Sequence, residues 1–425
     1  MHSATPTATA ATCPECTGGL TEDTRFVQWC QACGWNAHPG AKAAKGRGDR
    51  FRRRLNRASE ERLYRRVTEG GAGPSALDGV SVAAYAFSGV VHLVTLGLAV
   101  GGVLLLVQSN WPMRVVGAVL LLVAFQLRPR LGPGRRARKR LRLVGADTAP
   151  VLHRLAAQVA AELGTEPPVL IAVNGDYNAS STRFGVRRRV LLTLGLPLWE
   201  TLAPEQWVAL LGHEFGHGAN GDARRGVWIG SALRSLQEWY RILRPGRTAY
   251  GGGSSASARG LVALGEMLTR AVMAVFAELV LLANQLLGRL TALSGRRAEY
   301  RADAMAARVA GPEATTGLLR ALTVGSAAGH VRGRYLLADG PRGDFWADLR
   351  EYVASIPPSE RDRRLLVSQL DDSAVDTSHP PTRLRLDFVG QLPAAGPAIV
   401  LSAADAAAIG AELAPARAAV ANALL

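Results

Sequence analysis

Hydrophobic and polar positions fall along this chain in blocks of different character. Residues 1–11 are rich in Ser, Thr and Ala with no apolar period, the composition of a disordered tail. Between Asp78 and Arg114 no residue is charged, and Val80 to Val107 is apolar almost throughout. About 20 such residues cross a bilayer core as a helix, so the stretch predicts a membrane span. Ser109-Asn110-Trp111-Pro112 reads as a tight turn, with Trp111 at interfacial depth and Pro112 opening the next helix. Met113 to Leu127 returns, and Arg114 must snorkel toward the interface. Together these segments predict a transmembrane helical hairpin over 80–127.

Beyond the hairpin the periods shorten. Residues 148–163 have helical spacing, whereas Val169–Val173 and Val190–Leu194 read as short strands joined through Asn178-Ala179-Ser180-Ser181. Trp207, Val208, Leu210, Leu211 and Phe215 give the next helix an apolar side; Pro204 suits its first turn and Glu205 its positive end. Arg244–Arg259, with Pro-Gly, further glycines and serines, reads as a mobile loop. Ala271–Leu293 fits either a helix that dips into or crosses a membrane or a long core helix whose charges face solvent. Residues 296–310 predict a separate helix, 336–378 a polar, loop-rich stretch, and 402–413 and 415–424 two alanine-rich helices. The fold class is therefore mainly α with a small β element.

Charge changes the picture by its placement. The net charge is +16, but Lys42–Arg66 holds eleven Lys/Arg against three acids, and Arg128–Arg142 holds eight against none. From Leu143 onward the count is 29 basic to 26 acidic. The excess brackets one apolar region, as expected of a hairpin with both ends cytoplasmic. This argues against nucleic acid as the partner and for membrane lipid.

The four cysteines occur as Cys13-Pro-Glu-Cys16 and Cys30-Gln-Ala-Cys33. Two such knuckles suit tetrahedral thiolate ligation of one zinc ion, and the loop-rich setting does not suit a redox pair. The segment resembles a zinc ribbon.

His213-Glu214-Phe215-Gly216-His217 puts two imidazoles one helical turn apart on one face, able to grip a single ion. Glu214 is then placed to take a proton from a water that zinc has acidified, and to pass it to the leaving amine. A catalytic zinc needs a third protein ligand. Glu299 offers it, and Asp303, four residues on, can accept a hydrogen bond from a ligand imidazole.

His213–His217 with Gly218-Ala219-Asn220-Gly221-Asp222, then Glu299-Tyr300-Arg301-Ala302-Asp303, then His379-Pro380-Pro381-Thr382 and Arg385, resembles the HtpX-type family of integral-membrane zinc metallopeptidases. That family also contains the CAAX prenyl endopeptidases. The resemblance implies a gluzincin-type metalloprotease domain behind the transmembrane hairpin, with the zinc ribbon as an addition. It implies that Asn178-Ala179 belongs to an edge strand pairing with substrate backbone. By the same likeness His379 steadies the oxyanion, and Arg385 holds the local structure or contacts substrate. The chain lacks the many spanning helices of the CAAX branch, which points to quality-control or regulatory proteolysis.

The expected plan is a tail (1–11), a zinc ribbon (12–40), a basic linker (41–79), the hairpin (80–127) and a basic juxtamembrane linker (128–147). A metalloprotease domain (148–393, with 271–293 the candidate membrane-dipping helix) and C-terminal helices (394–425) complete it. Two zinc ions are expected, one catalytic and one structural, with protein or peptide substrates. The protein is placed in the cell membrane as a multi-pass protein, ribbon and catalytic domain cytoplasmic. A catalytically silent adaptor and a nucleic-acid-binding membrane protein acting through the ribbon are the alternatives; retention of Glu214 with all three ligands argues against the first.

Overall fold

The computed structural model describes residues 11–39, 58, 60–69, 79–128, 141–184, 189–219, 222–244, 258–337, 343–372 and 379–425. Two compact units emerge: Met1–Gly73, Pro133–Asn220 and Arg296–Leu425 form the first, Pro74–Gly132 and Gly221–Gly295 the second.

In the second unit, α2 (Gly79–Gln108) and α3 (Trp111–Leu127) form a helical pair. The Asn110 side chain accepts the Met113 amide, and Arg114 Nε donates to Ser109 O, 3.0 Å away, so this charge turns back onto the bend. A Cβ on Gly117 would come within 2.7 Å of Gly102 O, so the two backbones touch only because both positions lack side chains. The unit also holds α7 (Asp222–Leu243) and the first part of α8 (Ala258–Ala310). Ala84, Val91, Ile229, Ala232, Leu236 and Leu287 form its small core. Most large apolar side chains point outward instead, among them Leu93, Leu96, Val107, Leu122, Phe125, Leu268 and Phe276. Among the described residues two helices, Gly79–Gln108 and the Met267–Ala310 stretch, are long and apolar enough to cross a membrane.

The first unit is built on a four-stranded sheet. Its strands are β1 (Arg142–Val144), β2 (Leu170–Asn174), β3 (Ala179–Phe184) and β4 (Arg189–Gly195), in the order β1-β2-β4-β3. β2 and β4 are parallel; β1 and β3 run antiparallel at the edges. Around the sheet lie α1 (60–69), α4 (Pro150–Glu162), α5 (Leu196–Trp199), α6 (Pro204–Ala219) and the end of α8. They are followed by α9 (Pro312–Leu322), α10 (Ser326–Leu337), α11 (Phe345–Ala354), α12 (Pro358–Asp372), α13 (Thr382–Gly390), α14 (Ala403–Glu412) and α15 (Ala414–Leu424). Leu152, Ile171, Leu192, Leu194, Leu198, Trp199 and Leu211 are at the centre of the core.

Several elements differ from expectation. Within the basic linker, 60–69 is a helix: Glu60, Leu63, Tyr64 and Val67 share a face that the surrounding arginines conceal. The Arg244–Arg259 loop lies mostly outside the described residues. No break separates 261–293 from 296–310, because Gly295 is accommodated inside α8 at a cost of about 1 kcal/mol relative to alanine. The stretch 336–378 contains α11 and α12, whose charged outer faces resemble loop composition. Residues 221–295 pack with the hairpin segment, while the C-terminal helices join the sheet unit, Glu412 capping α4 through the amides of Val151 and Leu152.

The ribbon is likewise part of the first unit. Arg25 Nη2 donates to Ser355 O on the α11 side, Phe26 packs near Tyr352, and Arg363 Nη1 of α12 donates to Ala37 O.

Candidate active site and metal centres

α6 starts with Pro204 in its first turn, and the Gln206 side chain reaches back to the Ala203 amide as half a capping box. Trp207 stacks on Trp199 at 4.7 Å and anchors the helix to the core. Its other side meets α8. A Cβ on Gly212 or Gly216 would lie 3.0 Å from the Cα of Ala306 or Ala302 respectively. This close crossing brings the α6 histidines up to Glu299.

His213 Nε2 and His217 Nε2 are each 3.5 Å from a different oxygen of Glu299. Two ligands of a tetrahedral ion at about 2.1 Å are separated by about 3.4 Å, so one zinc ion fits among the three. Glu299 Oε2 is buried without a well-aligned hydrogen-bond donor, an acceptor suited to a cation. The three ligand atoms form one of two groups able to hold a metal among the described residues.

Behind the ligands lies a buried charge network. Asp303 Oδ1 is 3.0 Å from His213 Nδ1, and Arg385 donates to both Asp303 oxygens at 2.7 and 2.8 Å. A carboxylate can only accept, so Nδ1 is the donor to Asp303 and Nε2 is the nitrogen left to serve as a metal ligand. Burial alone would lower the His213 pKa; the bonds to Asp303 and Glu299 outweigh it and push it up to about 10 in the absence of metal. Burial would raise Asp303, but the Arg385 guanidinium keeps its carboxyl below the usual range. Glu299 is held well below its usual range, against its burial, by His213, His379 and Arg385. Glu214 moves the other way: burial raises it.

Glu214 Oε2 accepts the Ser181 amide of β3 at 2.9 Å. This contact ties the sheet edge to the site. Asn178, exposed, accepts the Gly195 amide just before β3, and Ala179 is the first residue of the strand. His379 reaches the site from the segment before α13, its Nδ1 2.8 Å from Glu299 Oε2 and its side chain 57% exposed. Arg385 turns inward onto Asp303 and is buried.

The second group is Cys13, Cys16, Cys30 and Cys33. All four are free, with Sγ separations of 3.6 Å (Cys13–Cys33) and 3.5 Å (Cys16–Cys30). Thiolates around zinc at about 2.3 Å are about 3.8 Å apart, so the group fits one ion. Gly34, at φ +77°, turns the second knuckle in a conformation that suits glycine.

A comparison with curated proteins gives no match, and neither does one with solved structures. The family model described as Peptidase family M48 matches residues 146–392, more than half of the chain and all of the histidine–carboxylate site. The chain therefore belongs to peptidase family M48, the HtpX and CAAX protease family of zinc metallopeptidases.

Proposed function

We propose that this protein is a membrane-anchored zinc endopeptidase hydrolysing peptide bonds of membrane or misfolded proteins on the cytoplasmic side. The reading is carried by Glu214, a buried carboxylate next to a metal-ligand histidine that also contacts the free edge of the sheet.

His213, His217 and Glu299 would hold the catalytic zinc, which would supply acidified water and polarisation of the scissile carbonyl. Glu214 takes the proton of the attacking water and delivers it to the leaving amine; burial raises its proton affinity for the first step. Asp303 fixes the His213 tautomer, and Arg385 keeps Asp303 ionised. His379, at the exposed mouth, steadies the tetrahedral oxyanion.

The peptide adds to β3 as a further strand. Asn178 O is engaged inward with Gly195, so the alternation of an antiparallel ladder turns the backbone groups of Ala179 and Ser181 outward. Asn178 and Ala179 thus begin the substrate-binding edge.

The outward apolar side chains of α2, α3 and the first part of α8 support a lipid environment, and the arginine-rich flanks of the hairpin support cytoplasmic ends. The thiolates of Cys13, Cys16, Cys30 and Cys33 would hold a second, structural zinc.

The purified full chain in detergent should cleave an unfolded protein, and Glu214→Gln should lower the rate by about 10²–10⁴-fold with zinc content unchanged. Equal activity in the two would sink the mechanism.

A further inference from the structure

α1 touches two of the elements that carry the site, α8 and α13, and no step of the proposed reaction uses it. Its Glu60 is buried and forms an ion pair with Arg296 Nη1, also buried. One turn further along, Tyr64 lies 6.3 Å from Tyr300, and its hydroxyl accepts from Gln391 Nε2 at 2.6 Å. Val67 completes a cluster with Tyr300, Leu319, Phe388 and Val389. Tyr300 in turn packs edge-on against Phe388 of α13 at 5.3 Å.

Arg296, Glu299 and Asp303 follow one another at helical spacings of three and four on α8. Both flanking residues are locked by buried opposite charges. Asp303 is gripped by Arg385 of α13 and Arg296 by Glu60 of α1. The ligand Glu299 therefore sits between two fixed points on its helix, which restrict both rotation about the axis and sliding along it. A helix held only at Asp303 could still turn, and a rotation moving the carboxylate by about 1 Å is enough to cost about 10²-fold in rate.

We propose that Glu60 is a positioning residue for the reaction: through Arg296 it sets the angle at which α8 presents Glu299 to the catalytic metal. The proposal rests on the reading of Glu299 as a ligand. The ordinary alternative is a buried ion pair that only helps the unit to fold, so the test must separate placement from stability.

The test uses the full-length chain in detergent. Glu60→Gln keeps the shape and removes the charge, Glu60→Asp keeps the charge on a shorter arm, and Arg65→Ala on the exposed face of α1 is the control. Zinc release to a chelator is followed alongside peptide cleavage, the catalytic phase being the one absent from His213→Ala. Glu60→Gln should release catalytic zinc at least about tenfold faster and lower kcat by about 10–100-fold with KM little changed. Glu60→Asp should recover part of both losses, and the ribbon phase should not move.

The double variant Glu60→Leu with Arg296→Leu replaces the pair by apolar groups, a change that often preserves stability. A folded double variant with fast zinc release and low kcat supports the proposal. Parental release and kcat in that variant, or in Glu60→Gln, overturn it. Should Glu60→Gln fail to fold while the double variant folds with parental kinetics, the pair is structural and the proposal is wrong. Failure of the double variant to fold, with parental kinetics in Glu60→Asp and Glu60→Gln, overturns it equally. Absence of any His213-dependent zinc phase in the parent would overturn the ligand reading itself, which is a different outcome from a phase that Glu60 does not alter.

Discussion

The two candidate metal centres are made in opposite ways. The ribbon draws its four thiolates from Cys13 to Cys33, within a segment closed by short backbone bridges such as Leu20–Cys30. The histidine–carboxylate centre draws on α6, α8 and α13, and its ligands rest on a buried network of Asp303 and Arg385. A local site of this kind depends on the ion for its shape, because so small a module has little core of its own. An assembled site has its shape imposed by the surrounding fold and can leave a coordination position open for chemistry.

That contrast can be broken most directly at the ribbon. Cys30→Ser should abolish its zinc site, removing one ion per chain and the hydrogen-exchange protection of residues 12–39, while His213-dependent zinc stays. Amides in 12–39 that remain protected after the substitution would show that docking on α11 and α12 holds the ribbon without metal.

A smaller effect is expected at the assembled site. Asp303→Asn should weaken catalytic zinc by about 10–100-fold, measured by competition with a chelator, because the carboxylate no longer fixes the His213 tautomer. The scaffold should stay folded. Global unfolding on losing this zinc would mean that the two centres depend on metal alike.

The smallest effect concerns the joint between ribbon and α12. Glu360 binds Arg363 and Arg364, and Arg363 also donates to Ala37 O. Burial would raise the Glu360 pKa, but the two arginines lower it. A lowered folded pKa means stability that is full above the unfolded value of about 4.3 and is lost as pH falls through the folded pKa. The difference in unfolding midpoint between the parent and Glu360→Gln should therefore be constant near neutral pH and shrink below about pH 4. A difference that grows on acidification would reverse the assignment.

Legibility in the sequence follows the same division. Sites marked by fixed short spacings could be read directly: the two Cys knuckles, His213 with His217, and Glu299 with Asp303. The inward turn of Arg385 onto Asp303 leaves no such mark, since the pair is joined only by the packing of α13 on α8. Alternation alone does not reveal β3, because Ser180, Ser181, Thr182 and Arg183 lack the apolar period of a half-buried strand; only the family resemblance implies an edge strand at Asn178-Ala179. α1 was hidden for another reason. A buried acid occupies one of its inward positions, so Glu60 looks like part of a charged linker until Arg296 is seen beside it. Pairing across hundreds of residues leaves no period to detect.

The joining of the ribbon to α11 also has a consequence for biosynthesis. Arg25 and Ser355 are 330 residues apart in the chain. At about 5–20 residues per second, the partner emerges from the ribosome roughly 15–65 s after the arginine does. Tyr64 waits nearly as long for Gln391, 327 residues on. The nascent chain therefore carries an unfinished first unit through most of its synthesis, and the apolar α2–α3 pair emerges well before that unit can close.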